Sequence, residues 1–179
     1  MRTPQGSQWL TVPVHKESRD QLIASTRIHR ENNWQRDAVR TLAHLYGKTP
    51  FYDQYAAEVA GIIEAPHEHL VDLDQASWGP ALRELSVECS FVCASALPVT
   101  GQGPQLLIDI CKSLGADVYL SGPDGRKYID TAAFAAAGVE VRFHEYEHPV
   151  YPQRFGEFMP WLSYLDMLFN AGLEGARVG

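Results

Sequence analysis

Asp117-Val118-Tyr119-Leu120-Ser121-Gly122-Pro123-Asp124-Gly125, followed by Asp130 to Gly138 and then Val139-Glu140-Val141-Arg142-Phe143, is the segment on which the architecture turns. Val118, Tyr119 and Leu120 make a short β-favouring run, and Ser121 to Gly125 has the composition of a tight loop. Asp130 is placed to cap a helix through Ala137. Gly138 ends that helix, and Val139 to Phe143 is a second β-favouring run. Towards the N-terminus, Leu107, Ile110, Cys111 and Leu114 mark a helix that stops at Gly115, and Phe91-Val92-Cys93-Ala94 reads as a further strand. The order is strand, helix, strand, helix, strand with short connections, which parallel pairing through right-handed crossovers solves most often. The expected class is α/β: a layered domain with a mostly parallel sheet and helices on its faces, a Rossmann-like arrangement among its layouts.

The flanking segments supply more helices. Trp34, Ala38, Leu42 and Leu45 recur at helical spacing, with Gly47 as a stop. Tyr52, Tyr55, Val59 and Ile62 do the same after Pro50, and Leu70, Leu73, Ala81 and Leu85 predict a third helix to about Ser86 with a kink or break at Gly79-Pro80. Ser7 to Val14 alternates and is β-branched, which predicts an edge strand because Pro13 cannot donate to a ladder. The last helix is expected to run from about Phe158, its apolar stripe formed by Phe158, Leu162, Leu165 and Phe169, with Pro160 tolerated in its first turn. Ser163, Asp166 and Asn170 draw one polar line along it. A carboxylate there is costly to bury without partners, so Asp166 either caps a neighbouring loop or faces a ligand site.

With 179 residues the chain is the size of one domain, and residues 1–179 are expected to form one. Its formal charge is −7, which disfavours nucleic acid and anionic lipid as partners. The charge is uneven: residues 1–48 carry +4 and the remainder −11. Arg27, Arg30, Arg36 and Arg40 make the early segment either a solvated basic face or a patch facing an anion. No apolar run approaches a bilayer span, the first residues lack a signal-peptide core, and three cysteines are too few and odd in number for a disulfide framework. These features predict a cytoplasmic protein without membrane insertion. Cys89 and Cys93 are expected to be buried in a core strand as small hydrophobes.

Parallel strands would deliver the loops 95–104, 121–128 and 144–157 to one edge of the sheet, where open α/β sheets bind ligands. Ser121, Gly122, Gly125, Arg126 and Tyr128 are the candidate substrate-binding residues of the middle loop. Small residues admit a ligand to the backbone there, and Arg126 offers a forked donor to carboxylate or phosphate or pairs with a neighbouring acid. Gly101-Gln102-Gly103 before a helix serves either an anion or loop flexibility. In the third loop His148, beside Glu145 and Glu147, is the candidate general base, the carboxylates fixing its tautomer. His144, His148 and a nearby acid would also suit a metal, yet none of the standard zinc spacings is present, so no metal and no cofactor is expected. Tyr151, Gln153, Asp166 and Asn170 complete the substrate-binding set.

Several of these residues also carry a resemblance. Asp109 to Gly122 with Gly125, Arg126 and Tyr128, then His148-Pro149-Val150-Tyr151-Pro152-Gln153-Arg154-Phe155-Gly156-Glu157-Phe158 and Leu162 to Gly172, are similar to the middle and closing motifs of the WbqC-like family. Gln8-Trp9-Leu10-Thr11-Val12-Pro13-Val14 resembles its early strand. Members normally begin with a Gln-Pro-x-Tyr-Leu-Pro-Trp type segment before that strand, so the domain is expected to be N-terminally shortened. The resemblance implies a role in surface-polysaccharide (O-antigen) biosynthesis, with transfer of glycine or another acyl or aminoacyl group to an amino sugar. The implied partner is a small molecule, a nucleotide sugar or an activated acyl donor. The alternatives are a non-catalytic binding or accessory protein of a polysaccharide pathway and a metal-dependent hydrolase.

Overall fold

The computed structural model describes residues 1–173. The chain divides into two compact units, Met1–Glu88 joined by the segment from His148 onward, and Cys89–Glu147.

The first unit is built on helices. A small antiparallel hairpin pairs β1 (Arg2–Thr3) with β2 (Gly6–Ser7). Three helices follow: α1 (Trp34–Tyr46), α2 (Tyr52–Glu64) and α3 (Leu70–Glu84). On α1 the stripe predicted from spacing is the buried face, Trp34, Ala38, Leu42 and Leu45, extended by Tyr46. The chain enters α1 through Asn33, whose left-handed φ of 50° is a conformation asparagine tolerates better than most residues. α2 buries Tyr55, Val59 and Ile63. α3 runs through Gly79-Pro80 without the predicted interruption, with Pro80 buried. The closing helix of this unit, named α6 below, adds Met167, Leu168 and Phe169, and these side chains form one core with those of α1, α2 and Leu73 of α3.

The second unit holds α4 (Gly103–Ser113), β3 (Val118–Ser121), α5 (Thr131–Ala136) and β4 (Glu140–Phe143). β3 and β4 are parallel, in the register Val118↔Glu140 to Ser121↔Phe143. The crossover between them is the predicted one: Asp130 Oδ1 accepts from the N–H groups of Ala132 and Ala133 at 3.0 and 3.2 Å, and Gly138 follows the helix with φ 79°. Ile108, Cys111, Phe134 and Val139 make the core of this unit. Burial pushes the Cys111 thiol above its ordinary pKa.

Four expectations need correction. Among the described residues the parallel sheet has two strands, so helices and parallel strands are combined as expected but no extended or Rossmann-like sheet is formed. The missing member is Phe91-Val92-Cys93-Ala94: apolar and β-favouring by composition, it does not form a strand, and Phe91 is 59% exposed. Cys89 and Cys93 are consequently exposed, not core thiols. Ser7 to Val14 is not a continuous strand; beyond β2 its ladder contact is the Val14↔Ile28 bridge, and Trp9 is 91% exposed. Lastly, α6 spans Tyr164–Ala171 and is shorter than predicted, because Ser163 caps it by accepting from Leu165 N at 3.3 Å. Residues from Phe158 to Leu162 precede it as irregular chain.

Candidate functional site

In the second unit, candidate residues gather at the carboxyl ends of β3 and β4. The ladder continues past the strands, His144 N donating to Ser121 O at 2.9 Å, so the segments after the two strands leave side by side. Pro123–Lys127 winds into a 3-10 turn. Gly125 packs closely there: a Cβ would meet Ser121 Oγ at 2.0 Å and Ile129 Cδ1 at 2.8 Å, so those side chains would have to shift. Ser121 is buried under that turn, its hydroxyl donating to Gly122 O at 3.1 Å. Arg126 donates to Glu145 Oε1 at 3.0 Å and lies over the Phe143 ring, 4.6 Å from its centroid. Both partners of this pair are more than half exposed, so solvent screens it and the guanidinium stays within reach of an anion. Tyr128, His144's neighbour Tyr146, and Glu147 are exposed. The Gly101 loop takes another course: a Cβ on Gly101 would meet Asp109 Oδ2 at 2.5 Å, which puts a carboxylate beside the start of α4.

In the first unit the C-terminal motif folds around a buried carboxylate. Asp166 is fully buried and accepts three hydrogen bonds: from Tyr46 Oη at 2.7 Å, Tyr151 Oη at 2.9 Å and Gln153 Nε2 at 2.8 Å. Gln153 also closes a two-way clasp with Met159, donating to its carbonyl at 3.0 Å and accepting from its N–H at 2.8 Å. Asn170 accepts from Arg154 N at 3.2 Å and donates to Asp166 O at 2.7 Å. Burial, followed by the Asp166 hydrogen bond, holds the Tyr46 hydroxyl well above its ordinary pKa. The line Ser163, Asp166, Asn170 thus ties the loop before α6 to the helix: Ser163 caps it, and the other two saturate the loop's donors. The buried Arg2 guanidinium reinforces the loop, donating to the carbonyls of Phe155 and Glu157.

His148 begins this motif. Its Nδ1 lies 2.8 Å from Pro149 O, and its ring sits among Tyr151, Phe158 and Trp161, with centroids 6.2, 5.7 and 5.2 Å away. A carbonyl can only accept, so Nδ1 is the donor in this contact. Glu145 and Glu147 belong to the other unit.

The sequence did not point to a cavity of about 560 Å³ in the first unit. Its wall combines Leu10, Trp34, Ile62, Leu162 and Leu165 with Trp161 and with the polar residues Asp74, Ser77 and Ser163. Tyr164 Oη donates to Ser77 O at 2.6 Å, and burial pushes that hydroxyl up to about 12. The size is that of a small-molecule site. Helical periodicity places Trp34 and Ile62 on apolar faces but cannot tell a filled core from a hollow. Among the described residues no three His, Cys, Asp or Glu side chains are grouped to hold a metal ion. No helix of the described chain is long and apolar enough to cross a membrane.

Comparison with known proteins adds the lineage. The chain is 30% identical over 189 aligned positions to Uncharacterized protein Rv1507c of Mycobacterium tuberculosis (strain ATCC 25618 / H37Rv), covering 97% of this chain and 76% of that relative. No solved structure matches. A model of the WbqC-like protein family matches residues 1–178, across both units, and the chain belongs to that family.

Proposed function

We propose that this protein is an acyl- or aminoacyl-transferase, glycine being the simplest group transferred, acting on a nucleotide-linked amino sugar in surface-polysaccharide (O-antigen) biosynthesis. The observation that carries the reading is the setting of His148. Its Nδ1 donates to the Pro149 carbonyl, and three aromatic rings pack around the imidazole. In the reaction the sugar amine attacks the acyl carbonyl, Nε2 takes the proton that the amine loses, and the donor's leaving group departs. Taken by itself, the other unit has an anion-binding candidate of its own: Arg126, Gly122 and Tyr128 are exposed there, while Ser121 and Gly125 are buried and shape the turn that presents them. Tyr151, Gln153, Asp166 and Asn170 serve the site by holding the loop that carries His148 against α6. The reading makes this a cytoplasmic protein whose partner is a small molecule.

One observation favours a non-catalytic binding or accessory role: the neighbour orienting His148 is a carbonyl, which cannot stabilise an imidazolium as a carboxylate would. His148→Ala decides between them. In a transfer assay with a nucleotide-linked amino sugar and an activated glycyl donor, loss of a general base predicts a fall of about 100-fold or more. Full turnover by a folded variant would end the transferase reading.

A further inference from the structure

We infer that a second hollow of the first unit, at the C-terminal end of α1, is a binding site for the diphosphate group of a small molecule. The inference rests on the reading above only in naming a nucleotide as one carrier of that group. The binding itself does not rely on His148 chemistry.

The hollow measures about 460 Å³, and His44, Lys48 and Arg154 line it beside Gly47 and Phe155. Among the described residues its wall carries no acid, although the chain as a whole has a formal charge of −7. No described Asp or Glu lies within ion-pair distance of Lys48 or Arg154. Arg154 is half-buried and held from three sides. Its backbone N–H donates to Asn170 Oδ1 at 3.2 Å, its Nη1 donates to Leu45 O, and its guanidinium lies over the Phe155 ring, 4.5 Å from the centroid. The Leu45 bond is the ordinary service of a cation at a helix C-terminus. It leaves the guanidinium's other N–H donors without a hydrogen-bond partner among the described residues and not sealed from solvent. A planar fork held in place with donors open is suited to meet phosphate oxygens in pairs.

Two features of the wall go beyond a helix cap. Phe155 takes a left-handed φ of 67°, which is costly for a bulky side chain, and such strain gathers at ligand sites. The Phe155 carbonyl is also held by the buried Arg2 guanidinium, whose Nε has no partner and which has no carboxylate within ion-pair distance among the described residues. A buried cation without a counter-charge adds to the positive potential of the wall beside it, because few water dipoles are there to screen it. Three permanent cations, Arg2, Lys48 and Arg154, therefore act on one hollow. A diphosphate, with more than one negative charge, matches that set better than a single carboxylate does.

The test follows the backbone amide signals of Gly47, Lys48 and Phe155 by NMR during titration of the full chain. The probes are inorganic diphosphate, inorganic phosphate and uridine diphosphate. Inorganic diphosphate is expected to shift these signals and to bind at least about threefold more tightly than phosphate. Lys48→Gln is expected to weaken it about threefold, the size of one exposed charge pair. Arg154→Gln is expected to weaken it about tenfold or more, the size of a charge-assisted hydrogen bond. Tighter binding of uridine diphosphate identifies a nucleotide as the carrier, and binding no tighter identifies the diphosphate alone; both support the site. Signals that stay unmoved, equal affinity for phosphate and diphosphate, or unchanged affinity after Lys48→Gln would overturn the inference. Lys48 is exposed, so that variant decides the matter even if Arg154→Gln fails to fold. Signals from these residues also separate the hollow from Arg126 in the other unit. No transfer assay enters these measurements, so their failure and that of the His148 reading are read separately.

Discussion

The two units use polar side chains in opposite ways. In Cys89–Glu147 the core is small, Ile108, Cys111, Phe134 and Val139, and the charged groups stand outside it as exposed pairs, Arg126 with Glu145, Lys127 with Asp124 and Arg142 with Glu140. In the other unit a carboxylate is taken into the core and surrounded by donors from α1 and from the loop before α6. Exposed pairs of the first kind contribute little to stability, whereas a buried, fully bonded carboxylate cannot lose a partner cheaply. Residue chemistry therefore misleads as a guide to roles: the loops richest in acids and bases sit where solvent weakens them. Asp166, for which the sequence left a loop-holding and a ligand-facing role open, is committed to holding the loop.

That contrast sets the order of the expected effects. Asp166→Ala removes the acceptor of Tyr46, Tyr151 and Gln153 together and should cost about 3–5 kcal/mol. Denaturant unfolding should show the loss, and hydrogen exchange should locate it in α1 and α6. A cost below about 1 kcal/mol would mean that the donors find other acceptors, and the contrast would fail. Gly125→Ala is next. Its Cβ would press on Ser121 Oγ and Ile129 Cδ1, an overpacking expected to cost about 1–3 kcal/mol, with exchange raised in β3 and β4.

The smallest effect belongs to a surface pair in the first unit. Arg83 donates to both oxygens of Glu58 at 2.7 Å, and this hydrogen bonding holds the Glu58 carboxyl below its ordinary value. A depressed carboxylate contributes its stability in full above its unfolded pKa and loses it as pH falls through the lower folded value. Glu58→Gln should therefore cost about 0.2–1 kcal/mol at neutral pH and nothing in acid below both values, measured as the pH dependence of the unfolding midpoint. A pH-independent difference would show that packing, not charge, holds the pair.

Much of the local architecture was legible. The spacing of Trp34, Ala38, Leu42 and Leu45 marked both a helix and its buried face, and Asp130 with Gly138 marked both ends of α5. These signals are local, set by side-chain period and by backbone groups a few residues apart. Phe91 to Ala94 was misread because a strand is completed by a partner distant in sequence, and composition does not say whether the partner arrives. The final helix was overextended for a related reason. Phe158 and Leu162 keep the helical period, but the Gln153–Met159 clasp and the Ser163 cap give the intervening backbone other partners. Of the candidate site, the cluster around Arg126 was legible from the loop glycines and the parallel order. The cavity beside Trp34 was not.

The sequence by itself determined the helical faces, the α5 crossover that makes β3 and β4 parallel, and the motifs by which the chain is recognised as WbqC-like. Each depends on residues near one another along the chain. Only the tertiary structure decided that the sheet stops at two strands, that Asp166 is spent on Tyr46, Tyr151 and Gln153, and that a hollow remains between apolar faces. Those outcomes depend on which distant groups satisfy each other's hydrogen bonds and on how completely side chains fill the space between helices. Neither quantity is carried by any one segment of the chain.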